Sequence, residues 1–183
     1  MKIKNAKNNI GLAVLLGIVV LAISAPMAFA QTEIQSPELP AVCSNLQVEA
    51  GNEVYFKTYA IGVQIYRWNG TSWVLNRPDA NLYAAANYRG KVGTHYFGPT
   101  WESNSGSKVV GSVQARCTPD STAVQWLLLQ AAPTEDPGIF SKATYIQRVN
   151  TTGGLAPTTP GIVVGEEKGI PYTAEYYFYK ETE

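Results

Sequence analysis

Val63-Gln64-Ile65-Tyr66-Arg67-Trp68, then Asn69-Gly70, then Ser72-Trp73-Val74-Leu75: two runs of β-branched and aromatic residues meet across an Asn-Gly pair. Asn-Gly at such a junction is the strongest short-range hairpin signal, because a type I′ turn needs positive φ at both central positions. The stretch predicts two antiparallel strands. Upstream, Glu53-Val54-Tyr55-Phe56-Lys57-Thr58-Tyr59 has the same composition and reads as another strand. Downstream, residues 108–116, 124–129 and 143–149 are short apolar or β-branched runs between turn residues. Residues 172–180 alternate strictly, with Tyr172, Ala174, Tyr176 and Phe178 on one face and Thr173, Glu175, Tyr177 and Tyr179 on the other. Residues 78–86 fit either a short helix or a strand entering a loop. No segment carries a 3.6-residue period. The expectation is one all-β domain, an antiparallel β-barrel or a two-sheet β-sandwich with little helix.

Size and composition agree with a single folded unit. The 183 residues are 45% hydrophobic and 15% charged, the reverse of a disordered chain. Fourteen basic residues balance fourteen acidic ones, so no bulk charge draws the chain to nucleic acid.

The N-terminus has a separate character. Lys2, Lys4 and Lys7 precede an apolar run over residues 10–24, Pro26 breaks it, and Ala28-Phe29-Ala30 has the small–x–small spacing of a cleavage site. These three parts read as a secretory signal over residues 1–30. The run is shorter than the roughly 20 residues that span a bilayer. Residues 31–41 carry Pro37 and Pro40 without periodicity and read as a mobile leader, which leaves residues 42–183 for the β domain. The expected location is secreted, periplasmic or cell-envelope, with no membrane span after cleavage. An oxidising compartment and an even count predict a Cys43–Cys117 disulfide.

Several motifs occur together: Gly62-Val63-Gln64-Ile65-Tyr66, His95-Tyr96-x-Gly98-Pro99-Thr100-Trp101-Glu102, Gly106-Ser107-x-Val109-x-Gly111 and Trp126-Leu127-Leu128. Tyr145-Ile146-Gln147-Arg148-Val149-Asn150-Thr151-x-Gly153-Gly154-x-Ala156-Pro157 follows, then Pro171-Tyr172-Thr173-Ala174-Glu175-Tyr176-Tyr177-Phe178-Tyr179. In this order they resemble the family catalogued as domain of unknown function 3455, found in exported bacterial and fungal proteins. The resemblance covers nearly all of the chain after the signal and implies no established activity. Many members of that family carry a cysteine after the Gly-Gly stretch. This chain has Thr158, Thr159 and Pro160 there.

The densest chemistry is in residues 95–102, which hold the only histidine, a tryptophan and a carboxylate. A carboxylate can orient a histidine as a general base, so His95 and Glu102 are the candidate catalytic pair. In one continuous strand His95 and Trp101 share a face and Glu102 takes the other, unless Gly98-Pro99 kinks the chain. Gln64, Tyr66 and Trp101 are the candidate ligand-binding residues: rings cover C–H surface while amides take hydroxyls. The plainer reading places these aromatics in the core. Arg148, ahead of Gly153-Gly154, fits either an anion site or a strand end paired to a carboxylate. Glu102, Asp79 and Glu175 could form a carboxylate pair only if the fold brings two together.

No cofactor is expected: there is no G-x-G-x-x-G after a strand and no βαβ alternation. No metal is expected, since two cysteines and one histidine lie far apart. With no nucleophile elbow, an enzymatic role is the weaker reading. Three function classes remain. The first is a non-enzymatic binding or cell-surface module for a glycan or another small extracellular ligand. The second is a small extracytoplasmic hydrolase or lyase using His95 with Glu102. The third is a structural or stress-related envelope protein.

Overall fold

The computed structural model describes residues 1–2, 34–134 and 137–183. The signal expected over residues 1–30, and the first residues of the leader, lie outside the described residues apart from Met1 and Lys2. The chain divides into two units, Met1–Gln31 and Thr32–Glu183, and the second carries the fold.

That fold is a closed barrel of eight antiparallel strands. In chain order they are β1 Asn52–Trp68, β2 Trp73–Tyr83, β3 Lys91–Tyr96, β4 Thr100–Ser103, β5 Lys108–Cys117, β6 Trp126–Ala131, β7 Tyr145–Gly153 and β8 Glu167–Glu181. Each pairs with the next, and β8 returns to pair with β1. A 3-10 helix, Ala41–Leu46, precedes them. Of the two expected all-β architectures, the structure is the barrel. No helix among the described residues is long and apolar enough to cross a membrane.

Two runs expected as separate strands are one, because Gly62 carries β1 past β2. A Cβ at Gly62 would collide with the Asp79 carbonyl and with Ala80. Strand glycines mark such close approaches. The Asn69-Gly70 junction is a hairpin but not a two-residue one. Trp68 pairs with Trp73 across a four-residue loop. Asn69 does not adopt positive φ, and only Gly70 does. Instead Asn69 Oδ1 accepts the backbone N–H groups of Thr71 and Ser72 at 2.9 and 2.8 Å. Such an Asx turn is the second way asparagine builds a tight connection. The ambiguous residues 78–83 are strand. Pro78 pairs with Gln64 of β1, and β3 joins the other side of β2 only from Ala80 onward. A residue lacking an N–H is tolerated where one strand edge is free.

The alternation of β8 decides its two environments. Tyr172, Ala174, Tyr176 and Phe178 point into the barrel with Trp101, Leu129 and Ile146. Tyr177 and Tyr179 point out, yet are buried beneath the N-terminal segment with Leu46 and Val149. Each large side chain so buried contributes about 1.5–3 kcal/mol. The end of the barrel nearest Phe140 is filled by rings, with Phe140 4.8 Å from Phe178 and 5.9 Å from Phe56.

A Cys43–Cys117 disulfide holds the N-terminal segment to the outer wall, with Cα atoms 5.4 Å apart. Gln147 Nε2 donates to the Leu46 carbonyl at 2.6 Å, and Tyr179 Oη donates to Gln147 Oε1. Closing a loop of 74 residues contributes about 4 kcal/mol by the chain-entropy relation. The Cys43→Ser, Cys117→Ser double variant should therefore lose about 4 kcal/mol in urea unfolding. A loss below about 1 kcal/mol would show that the strap adds little.

Candidate functional site

At the end of the barrel away from Phe140 lies a cavity of about 410 Å³. Its walls are apolar: Leu75, Pro78, Phe97, Pro99, Val113 and Leu127. Its polar floor is Gln64, His95 and Arg148, which are 1%, 2% and 9% exposed. Asn76, Arg77, Arg116 and Gln125 complete the rim. Among the described residues no cluster of histidine, cysteine and carboxylate side chains could hold a metal ion.

His95 owes its place to a tight turn. Phe97-Gly98-Pro99 joins β3 to β4, with Gly98 at φ 111° and Thr100 Oγ1 donating to the Phe97 carbonyl. The reversal sets His95 directly across from Trp101. Their rings stack with centroids 4.3 Å apart and planes at 12°, and Tyr176 meets both edge-on. His95 Nδ1 lies 2.9 Å from the Thr100 carbonyl. A carbonyl only accepts, so Nδ1 carries the proton and Nε2 is left as an acceptor. Burial drives the imidazole pKa down to about 3, with the Arg148 charge adding to the fall and the Thr100 bond opposing it. His95 is neutral at physiological pH.

Arg148 sits on β7 between Leu127 of β6 and Tyr176 of β8, just before a bulge at Asn150, whose φ is 50°. Its Nε and Nη2 donate to the Gln125 carbonyl at 3.1 and 2.8 Å. The ion pairs among the described residues join Lys57 to Glu175, Arg77 to Glu167, Lys108 to Glu102 and Lys180 to Glu53; Arg148 has none. Burial raises the Tyr176 phenol pKa and the Arg148 charge opposes that rise. Gln64 lies between Pro78 and Ile170. Its Nε2 is buried without a hydrogen-bond acceptor, although the Tyr172 phenol is close by.

The expected catalytic pair is not brought together. Glu102 stands opposite Thr94, next to Trp101 in the strand, and so takes the outer face. It accepts the Tyr96 hydroxyl at 2.7 Å and lies 3.7 Å from Lys108 Nζ. His95 faces inward because strand alternation separates the two. Tyr66 and Trp101 also lie off the cavity. Tyr66 Oη donates to the Gly154 carbonyl at 2.7 Å, and Trp101 is 1% exposed within the ring stack. Trp68 and Trp73 pack on each other, 5.5 Å apart. Glu175 points outward to Lys57, away from Glu102. Of the five candidates, Gln64 and His95 reach the cavity. Arg148 reaches it too, held by the Gln125 carbonyl rather than paired to a carboxylate as the strand-end reading has it. Alternation offered a signal: Ile146 and Arg148 share a face, and an interior isoleucine carries the arginine inward.

A family model described as "Protein of unknown function (DUF3455)" matches residues 49–180. No curated protein and no solved structure matches the chain.

His95, the only histidine, makes stability depend on pH. Its folded pKa lies below the ordinary 6.5, so the unfolded chain takes up a proton that the fold rejects. Its contribution is complete above pH 6.5 and is lost as pH falls toward 3. Glu167 and Glu175, held below the ordinary 4.5 of a carboxyl, add losses only at lower pH. Between about pH 5 and 6.5 the urea-unfolding free energy should fall with a slope approaching 1.4 kcal/mol per pH unit. His95→Phe should flatten that window. A flat wild-type profile would mean that His95 titrates in the fold as it does in water.

Proposed function

The chain belongs to the family of unknown function that matches residues 49–180, and we propose that it is an exported, non-enzymatic binding protein for a small ligand that is part polar and part apolar. One observation carries this reading: the cavity sets apolar walls over a polar floor whose Gln64 Nε2 finds no acceptor within hydrogen-bond distance among the described residues. Ligand sites of about 300–1,000 Å³ share that plan of mostly apolar lining with a few placed polar groups. A hydroxylated ring fits it, with C–H surface on Leu127 and Val113 and hydroxyls on Gln64 and on His95 Nε2. The outward Glu102 argues against a His95–Glu102 hydrolase or lyase. The disulfide and the N-terminal signal pattern support an oxidising compartment outside the cytoplasm. Mass spectrometry of protein from its native source should give an N-terminus at or near Gln31. An intact chain from Met1 would contradict export.

Thermal unfolding of the wild type with D-glucose, D-galactose, D-glucuronate and phenylacetate tests the cavity. A ligand that binds only the native state raises the melting temperature saturably. At least one probe should do so, and Val113→Trp, which fills the cavity, should abolish the effect while remaining folded. A shift that survives Val113→Trp would place binding elsewhere.

A further inference from the structure

Arg148 is a guanidinium at the inner end of the cavity, more than nine-tenths buried, with no ion pair among the described residues. Removing one such charge from water is costly unless an opposite charge or several hydrogen bonds replace the lost hydration. The chain replaces part of it. Gln125 supplies one carbonyl, accepting from Nε and Nη2. Beyond that carbonyl the fork has the Tyr176 phenol beside it and meets no carboxylate among the described residues, none of whose aspartates or glutamates lines the cavity.

The neighbours point the same way. Gln64 Nε2 is a second buried donor without an acceptor on the same floor. Arg116 stands exposed on the rim without an ion pair among the described residues, whereas the rim's Arg77 is neutralised by Glu167 at 3.0 and 3.1 Å. The mouth therefore presents positive charge and N–H donors beside apolar walls, with His95 Nε2 and the amide oxygens of Gln64, Asn76 and Gln125 as its acceptors. One buried cation without a counter-charge calls for one negative charge.

We infer that the open end of this barrel binds a monocarboxylate, its carboxylate taken by the Arg148 fork and the Gln64 amide and its carbon skeleton by Val113 and Leu127. A hydroxyl on that skeleton donates to His95 Nε2. The inference rests on the cavity being a ligand site and adds the charge of what enters it.

Isothermal titration calorimetry on the disulfide-bonded protein in low-salt buffer tests it with two matched pairs. These are D-glucuronate against D-glucose, and phenylacetate against 2-phenylethanol. The charged member of at least one pair should bind about tenfold or more tightly than its neutral partner, as charge-assisted hydrogen bonds require. Arg148→Met should erase that preference, and Gln64→Met should weaken the charged member more than the neutral one. If Arg148→Met does not fold, the wild-type preference and Gln64→Met decide. Equal binding of both members of a pair, lost in Val113→Trp, would keep the cavity as a ligand site and overturn the carboxylate. A preference that survives Arg148→Met and disappears in Arg116→Gln would move it to the rim and overturn the inference. Binding of none of the four would overturn it together with the reading on which it rests.

Discussion

The pairing of β1 with β8 closes the sheet, and the interior exists only because of it. The two strands run together from Asn52 opposite Glu181 to Arg67 opposite Glu167. Without that seam the sheet has two open edges, and Tyr172, Tyr176 and Phe178 lose their shared interior. An eight-stranded barrel is just wide enough for side chains to fill or for one small ligand. What stands at each inward position therefore decides whether a given level is solid or open. Around Trp101, Phe140 and Phe178 the rings meet at 4.8 to 6.2 Å and leave a packed core. Around Gln64 and Arg148 polar groups replace rings, and the level opens into the cavity.

The polar level is held in place by the aromatic one. The His95 ring lies on the Trp101 face, and Tyr176 closes both from the side. This stack fixes the imidazole plane, while the Thr100 carbonyl fixes its tautomer. A neutral histidine is what such a place tolerates beside Arg148, because a second buried cation would have neither water nor a counter-charge. Among the described residues the guanidinium is thus the single formal charge on the cavity floor. Gln125, Tyr172 and Tyr176 soften its surroundings with dipoles but cannot neutralise it.

Local pattern was legible in the sequence, and sidedness across turns was not. The β8 alternation placed Tyr172, Ala174, Tyr176 and Phe178 correctly because a strand's period is a property of its own backbone. The Asn69-Gly70 junction read correctly as a hairpin. Its form did not, since Asn69 acts through its side chain rather than its φ. The expected His95–Glu102 pair failed at Phe97-Gly98-Pro99. Whether three residues bulge a strand or reverse it depends on the partner strands, and the reversal sent Glu102 outside. Tyr66 and Trp101 were plausible platforms by type, yet Trp101 fills the barrel interior and Tyr66 is buried against Trp68 and Trp73. Arg148 was noticed without its environment, because the absence of a carboxylate is a statement about strands far apart in sequence. Barrel and sandwich were equally open for the same reason: β1 and β8 are separated by almost the whole domain.

An anion-soaked crystal tests most directly whether the cavity floor carries a buried charge awaiting a partner. Bromide is small and monovalent, and its anomalous scattering locates it whatever the natural ligand is. The account predicts an ordered bromide inside the barrel mouth, within hydrogen-bond reach of the Arg148 guanidinium and the Gln64 amide. Bromide confined to exposed cations such as Arg116, with none at Arg148, would contradict it.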